Sequence, residues 1–177
     1  MAEYAFDNAW QQARQRLAAL EACLDPGTCR HLSERGVGPG WRCLEVGGGG
    51  GSVAAWLCDR VGPTGGVLAT DLDTRFLDAL DRPNFQVLRH DIVHDPLPAE
   101  AFDLVHTRLV LGHLPNRAPA LDRMIAAPKP GGWLVLEEMD FVSLAPDPSS
   151  GAEAVALIEG VCCPPSSGDG AQLRPLL

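Results

Sequence analysis

The sequence is short of positive charge. Its 14 lysines and arginines face 23 aspartates and glutamates, so the 177-residue chain carries a net charge of −9. An electrostatic grip on nucleic acid or an anionic membrane needs the opposite sign, and neither is expected as a partner. No apolar run approaches the ~20 residues of a membrane-spanning helix. The first ten residues carry Glu3 and Asp7 and lack the basic start and apolar stretch of a signal peptide, which makes the cytoplasm the expected compartment. The six cysteines, Cys23, Cys29, Cys43, Cys58, Cys162 and Cys163, include no Cys-x-x-Cys pair, so reduced thiols are expected rather than a zinc knuckle. What is present, 46% hydrophobic and 21% charged residues with 19 glycines and 15 prolines, suits one turn-rich globular domain.

The hydrophobic period divides the chain. Trp10, Ala13, Leu17, Leu20 and Leu24 recur at helical spacing behind Asp7 as N-cap, predicting a helix over 8–24. Asp25-Pro26-Gly27 then reads as the start of a second, short helix stopped by Gly36. From Trp41 strands and helices alternate. Strands are predicted at Trp41–Val46, Gly66–Thr70, Asn84–Leu88, Phe102–His106 and Trp133–Glu137. Helices are predicted at Ser52–Val61, at Thr74–Leu80 capped by Thr74, and at Ala118–Ala127 cut off by Pro128. That order implies a doubly wound, mostly parallel α/β sheet covered on both faces. The expected division is an N-terminal helical lid over 1–36, a core over 37–145 and an irregular tail over 146–177 with one helix at Ala152–Val161. No sixth strand follows Met139, so the fifth is expected to lie open at the sheet edge, a surface for a homodimer.

In such a sheet, ligands bind beyond the carboxyl ends of the strands, beside the first strand-to-helix turn. Here that turn is Gly47-Gly48-Gly49-Gly50-Gly51. Glycines there supply positive φ and let a ligand lie against the backbone. A Walker-type phosphate loop would end in Gly-Lys-Ser/Thr, whereas this one ends in Gly51-Ser52-Val53. A dinucleotide, and with it an NAD(P)-dependent oxidoreductase, stays open. Gly49-x-Gly51-x-x-Ala54 meets the loose fingerprint, and Asp71 lies 20 residues past Gly51, where a ribose-binding acid belongs. Glu45 tips the balance, because a carboxylate two residues before Gly47 disfavours pyrophosphate and favours a cation. S-adenosylmethionine lacks phosphate and carries a sulfonium and an α-ammonium, so it suits the turn better than NAD.

Taken in order, these residues resemble the motifs of class I S-adenosylmethionine-dependent methyltransferases of the type 11/25-like group. The matching pieces are Leu44-Glu45-Val46-Gly47 through Gly51, Val67-Leu68-Ala69-Thr70-Asp71-Leu72-Asp73, His90-Asp91-Ile92, Ala101 through Arg108 with Leu111-Gly112-His113-Leu114-Pro115, and Pro130-Gly131-Gly132-Trp133. They cover residues 41 to about 142. The resemblance implies a Rossmann-like fold, S-adenosylmethionine as cofactor and methyl transfer to a small-molecule acceptor. It also implies roles. Gly47, Gly49 and Gly51 would shape the loop under the methionine moiety and Glu45 would organise that end. Asp71 would take the ribose hydroxyls with Leu72 packed on adenine. Asp91 and the Ile92 backbone would meet the adenine edge, and His106 and Thr107 would face the reacting methyl. Relatives complete a seven-stranded sheet, whereas the 38 residues after Met139 carry no alternating strands. Strands 6 and 7 are therefore expected to be missing, and a shortened domain that binds cofactor without turnover is a further reading.

Methyl transfer is an in-line displacement in which the protein chiefly aligns the reactants, and a base is needed only for a protonated acceptor. His106 and His113 are the candidates for that base. His106 reads equally as a strand-end residue bonded to backbone, and His113 as a residue packed in a loop. Arg108 fits either an acidic substrate or an ordinary exposed strand end. His90-Asp91-x-x-His94-Asp95 has the histidine spacing of a helical zinc pair, but an extended segment running into Pro96 would hold the two rings ~13 Å apart, so no metal is expected.

Overall fold

A computed structural model of the chain describes residues 13–139. The predicted start of the first helix and the predicted tail helix at 152–161 lie outside the described residues. Five strands, β1 (Arg42–Val46), β2 (Gly66–Asp71), β3 (Phe85–Arg89), β4 (Phe102–Arg108) and β5 (Pro128–Glu137), pair in parallel in the order β3-β2-β1-β4-β5. Strand order reverses at β1, so the loop that follows β1 opens at the switch point of the sheet. Three helices, α1 (Ala13–Glu34), α2 (Ser52–Val61) and α3 (Ala118–Ala126), accompany them.

Successive strand residues point to opposite faces, and in β1 and β4 both faces are buried, as a central parallel strand requires. Cys43 and Leu104 join Val53, Leu57, Val61 and Leu32 in one core layer. Leu44, Val46 and Val105 join Ile92, Ala120 and Met124 in the other. Burial pushes the thiols of Cys43 and Cys58 up to about 12 and about 11, so these two behave as small apolar residues.

Three elements differ from the sequence reading. α1 is one helix that runs through Pro26, not two. A proline inside a helix lacks the N–H for its backbone bond and crowds the preceding turn, and here tertiary bonds from the same turn oppose the break. Asp25 Oδ1 is not an N-cap but accepts from Arg108 Nη2 at 2.9 Å and from Ser52 Oγ at 3.2 Å. The helix expected over 74–80 contracts to a 3₁₀ turn at Leu77–Ala79, with Thr74 Oγ1 donating to Asp78. β5 begins at Pro128, which pairs with Phe102, rather than at Trp133. Its register shifts where Gly131 takes φ 82° and where a side chain on Gly132 would crowd the carbonyls of Lys129 and Phe102. Proline is tolerated there because it opens a strand that has a neighbour on one side only among the described residues.

The register of β1, β4 and β5 sets a row of charged side chains across one face of the sheet. Glu45 pairs with His106 across β1 and β4, and Glu137 closes β5. His106 is fully buried, with Nδ1 2.8 Å from Glu45 Oε2 and Nε2 3.2 Å from Glu137 Oε2. Carboxylates only accept, so both ring nitrogens carry hydrogen. Burial works against that charge, but Glu45 and the hydrogen bond to Glu137 outweigh it and lift the pKa from 6.5 to about 9. Glu137 also receives Thr28 Oγ1 at 2.5 Å and His31 Nδ1 at 2.8 Å, both from α1. Burial alone would raise its pKa, yet the bonds from His106, Thr28 and His31 hold it at about 2. Arg108 donates to Thr28 as well as to Asp25. The result is a latch that fastens α1 to the carboxyl ends of β4 and β5.

Two outcomes are expected from this packing. Leu57→Ala empties a fully buried site and should cost ~2–5 kcal/mol in urea unfolding, whereas Ile125→Ala, at a residue 59% exposed, should stay within about 0.5 kcal/mol. The latch should also respond to pH. Folding raises the His106 pKa, so its stabilisation is complete below pH 6.5 and is lost as pH rises through about 9. Glu137 is lowered, so its contribution is present above pH 4.5 and is lost as pH falls through about 2. Cys43 and Cys58 begin to weaken the fold only above their unfolded value of 9.0. The urea midpoint of the wild type should therefore fall between pH 6.5 and 9, and that of His106→Gln should not. A flat wild-type profile there would disprove a charged His106.

Candidate functional site

The glycine turn between β1 and α2 has a specific construction. Gly47, Gly49 and Gly51 sit at φ 72°, 52° and 88°, the region that side chains disfavour, while Gly48 and Gly50 do not. The three glycines of the alternating motif are thus the three that the backbone requires. Gly47 N and Gly48 N donate to Thr70 O at 2.8 and 3.1 Å, and Gly49 N donates to Asp71 Oδ2 at 3.0 Å. Asp71 Oδ1 accepts from Asp73 N at 3.1 Å. The end of β2 therefore pegs the turn in place. Asp71 is only 5% exposed, and burial raises its pKa against the opposing pull of those backbone donors.

The turn is crowded from several sides. A side chain at Gly47 would run into Val110, and one at Gly51 into Leu80. One at Gly50 would meet Glu21 and Arg14 of α1, and Leu17 lies against Gly49. Arg14 Nη1 reaches Gly50 O at 3.4 Å. Glu21 is the residue that sequence reasoning missed. Burial raises its pKa against the pull of Arg14 and of the Ser52 backbone at the start of α2. Its Oε1 is buried without a hydrogen-bond partner among the described residues and is ion-paired with the Arg14 guanidinium at 3.7 Å. The available signal was slight: Leu17 and Glu21 stand one turn apart on the face of α1 that meets the glycines.

The remaining predicted residues divide. Leu72 is half-buried beside Asp71. Asp91 is partly exposed but spoken for, with Oδ1 accepting from Val93 N at 2.9 Å and Oδ2 lying 2.8 Å from His94 Nδ1. Burial opposes a charge on Asp91, but those bonds outweigh it and lower its pKa. The segment from 91 to 95 is a turn, closed by Asp95 N to Asp91 O at 2.7 Å, and not the extended run assumed for the histidine spacing. His90 is buried separately with Nε2 3.3 Å from Pro96 O, and Ile92 sits in the core.

His106 and Thr107 are both fully buried, and Thr107 Oγ1 donates to Val46 O at 2.9 Å. His106, charged and held at both nitrogens, has no lone pair with which to act as a base. Arg108 is neither exposed nor free, being 13% exposed and bonded to Asp25 and Thr28. His113 differs: burial lowers its pKa against the pull of Glu138, which keeps the ring uncharged at neutral pH. It lies in the 3₁₀ turn Leu111–His113, whose backbone is held by Glu138 accepting from Val110, Leu111 and Gly112.

A cavity of about 160 Å³ opens where α1 crosses the ends of β4 and β5. Leu24, His31, Arg108, Leu109, Glu137 and Met139 are among its walls. Leu109 stands at φ 58° with its N–H bonded to Glu137 O at 2.8 Å. A non-glycine held there costs ~1–3 kcal/mol and is found at functional turns.

Comparison with known proteins agrees with this geometry. The family model described as "Methyltransferase domain" matches residues 1–161. "Methyltransferase str3" of Strobilurus tenacellus is 32% identical over 138 residues, which are 77% of this chain and 47% of the relative. "Ubiquinone/menaquinone biosynthesis C-methyltransferase UbiE" of Ectopseudomonas mendocina is 33% identical over 111 residues, 58% of this chain and 43% of that one. The chain thus spans about half the length of these relatives. Among solved structures, a SAM-dependent methyltransferase from Aquifex aeolicus shares the fold with TM-score 0.55 at 24% identity, covering 76% of this chain and 77% of the other. An S-adenosylmethionine-dependent methyltransferase from Mesorhizobium loti gives TM-score 0.52 at 26% identity over 61% and 51%. With a family match that runs through the glycine turn and all five strands, the chain belongs to the methyltransferase domain family.

Proposed function

We propose that this chain binds S-adenosylmethionine at the glycine turn and transfers its methyl group to a small-molecule acceptor. The observation that carries the reading is the turn itself. Glycines at positive φ add no side chain of their own to the turn, which lacks the lysine of a phosphate loop; Asp71 holds Gly49 from one side and the paired Glu21 and Arg14 of α1 stand at Gly50. Asp71, whose carboxylate stands against the turn at Gly49 N, disfavours a pyrophosphate there, which weighs against the NAD(P) reading.

In this reading Asp71 keeps lone pairs for ribose hydroxyls while its backbone bonds fix the carboxylate in place, and Leu72 covers the adenine. Asp91 and the Ile92 backbone meet the adenine edge. Gly47, Gly49 and Gly51 admit the methionine moiety. Glu45 acts on that end through His106, whose charge offsets its own, and Glu21, paired with Arg14, stands at Gly50. When bound, the cofactor supplies an electrophilic methyl on a charged sulfur that leaves as a neutral thioether. The chain supplies alignment, a term worth ~7–11 kcal/mol in well-held systems, with His113 as an uncharged group near the site.

We assign residues 1–36 as a lid, 37–145 as the cofactor-binding core and 146–177 as a tail. The lid is supported by α1 packing on the turn through Leu17 and Glu21. A partner set without nucleic acid is supported by the charge of −9. The β5 edge, with Trp133 and Leu136 44% and 39% exposed, is the surface we assign to a homodimer.

Calorimetric titration with S-adenosylhomocysteine tests the cofactor. The wild type should bind, Asp71→Ala should bind at least ~10-fold more weakly, a loss of ~1.4 kcal/mol, and NADH should give no heat. Equal affinity for the wild type and Asp71→Ala would overturn the assignment.

A further inference from the structure

The glycine turn is supported from three sides. Thr70 and Asp71 hold it from β2, α1 lies against it through Leu17 and Glu21, and Val110 meets it from the loop after β4. A Cβ on Gly47 would fall on Val110 Cγ2, so that methyl fills the space beside the turn. The first two supports belong to regular elements, whereas the third belongs to a loop with a strained backbone. Leu109 stands at φ 58°, and Val110 follows in the right-handed region at φ −105° and ψ −49°. That succession turns neighbouring N–H groups toward one side, a concavity that suits an anion. The anion is Glu138. Its Oε1 accepts from Val110 N at 3.0 Å and from Leu111 N at 2.8 Å, and its Oε2 accepts from Gly112 N at 3.2 Å.

We propose that Glu138 is a positioning residue of the cofactor site: its carboxylate offsets the strain at Leu109 and so keeps Val110 seated on Gly47. The inference rests on the cofactor reading above and deepens it, because Glu138 acts through the loop and not by contact with the ligand. Three observations support it. The donors belong to consecutive residues that begin directly after the strained one. Hydrogen bonds to an ionised acceptor are roughly twice as strong as neutral ones, so a single carboxylate can offset one left-handed leucine. Successive side chains of an extended chain also point to opposite sides, and here Glu137 is bonded to α1 while Glu138 is bonded to the β4 loop. The end of β5 thus carries one carboxylate for α1 and one for the loop, the two supports that do not come from β2.

Removing the carboxylate leaves the three N–H groups to water, which accepts from them in any conformation of the loop. Leu109 is then free to return to negative φ, a rotation on the order of 120° toward the ordinary helical region. Val110 is the next residue, and a rotation of that size at its neighbour lifts it from Gly47. Gly47 opens the turn at φ 72° with its N–H on Thr70 O at 2.8 Å, so the loss of Val110 loosens the end of the turn nearest β1. Ligand affinity then falls with the fraction of molecules that keep the loop in place.

Calorimetric titration of full-chain variants with S-adenosylhomocysteine tests this. Glu138→Ala should bind ~10-fold more weakly, the loss expected when about a tenth of the molecules keep the loop in place. Glu138→Gln should lose less, since its amide oxygen can still accept from Val110 and Leu111 while its N–H₂ group meets Gly112. Leu109→Gly supplies the rescue. Glycine takes φ 58° without strain, so adding Leu109→Gly to Glu138→Ala should bring affinity back to within ~3-fold of the wild type. A carboxylate that only stabilised the fold would lower the urea midpoint and leave the affinity and the rescue unmoved. Independently of any ligand, the amides of Val110, Leu111 and Gly112 should exchange slowly in the wild type and faster in Glu138→Ala. Wild-type affinity in Glu138→Ala, a loss that Leu109→Gly does not reduce, or equal exchange of those amides in both proteins would each overturn the proposal. A wild type that does not bind S-adenosylhomocysteine would overturn the cofactor reading, and this proposal with it.

Discussion

The architecture around the glycine turn depends on one buried cation. Parallel pairing brings Glu45 of β1 and Glu137 of β5 to either side of β4, and both carboxylates project toward α1. Two like charges near the end of a sheet repel, and the repulsion grows as water is excluded. The imidazolium of His106 stands between them and converts that repulsion into two charge-assisted hydrogen bonds. Breaking a buried pair by removing one partner typically costs ~3–5 kcal/mol. The cost would not stay local, because Glu137 is also the acceptor for Thr28 and His31 and thereby the anchor of α1.

The turn inherits its environment from that anchor. α1 carries Leu17 to Gly49 and Glu21 to Gly50, and it holds that course through Pro26 with the help of Asp25 and Arg108. On the opposite side Asp71 and Thr70 receive the backbone N–H groups of the turn. The glycines are thus constrained by a strand end below and a helix above. A turn of five glycines is costly in conformational entropy when free, and here Val110, Glu21 and Leu80 limit that freedom by filling the space that side chains at Gly47, Gly50 and Gly51 would take.

Local pattern made much of this legible. The five strands, the helix at Ser52–Val61 and the alternation of required glycines all follow from period, turn chemistry and steric rules that act over a few residues. Asp71 was legible for the same reason, since it ends a strand that the pattern already defined. What escaped were pairs joined across long stretches of sequence. Thr28 meets Glu137 109 residues away, and Arg108 meets Asp25 at a separation of 83. His106 was visible as a strand-end histidine. The carboxylates that fix its charge come from two other strands, and only the register of the sheet brings them together. Asp25-Pro26 misled for a related reason: the local rule for starting a helix is sound, but the aspartate was engaged by a distant arginine instead of its own backbone.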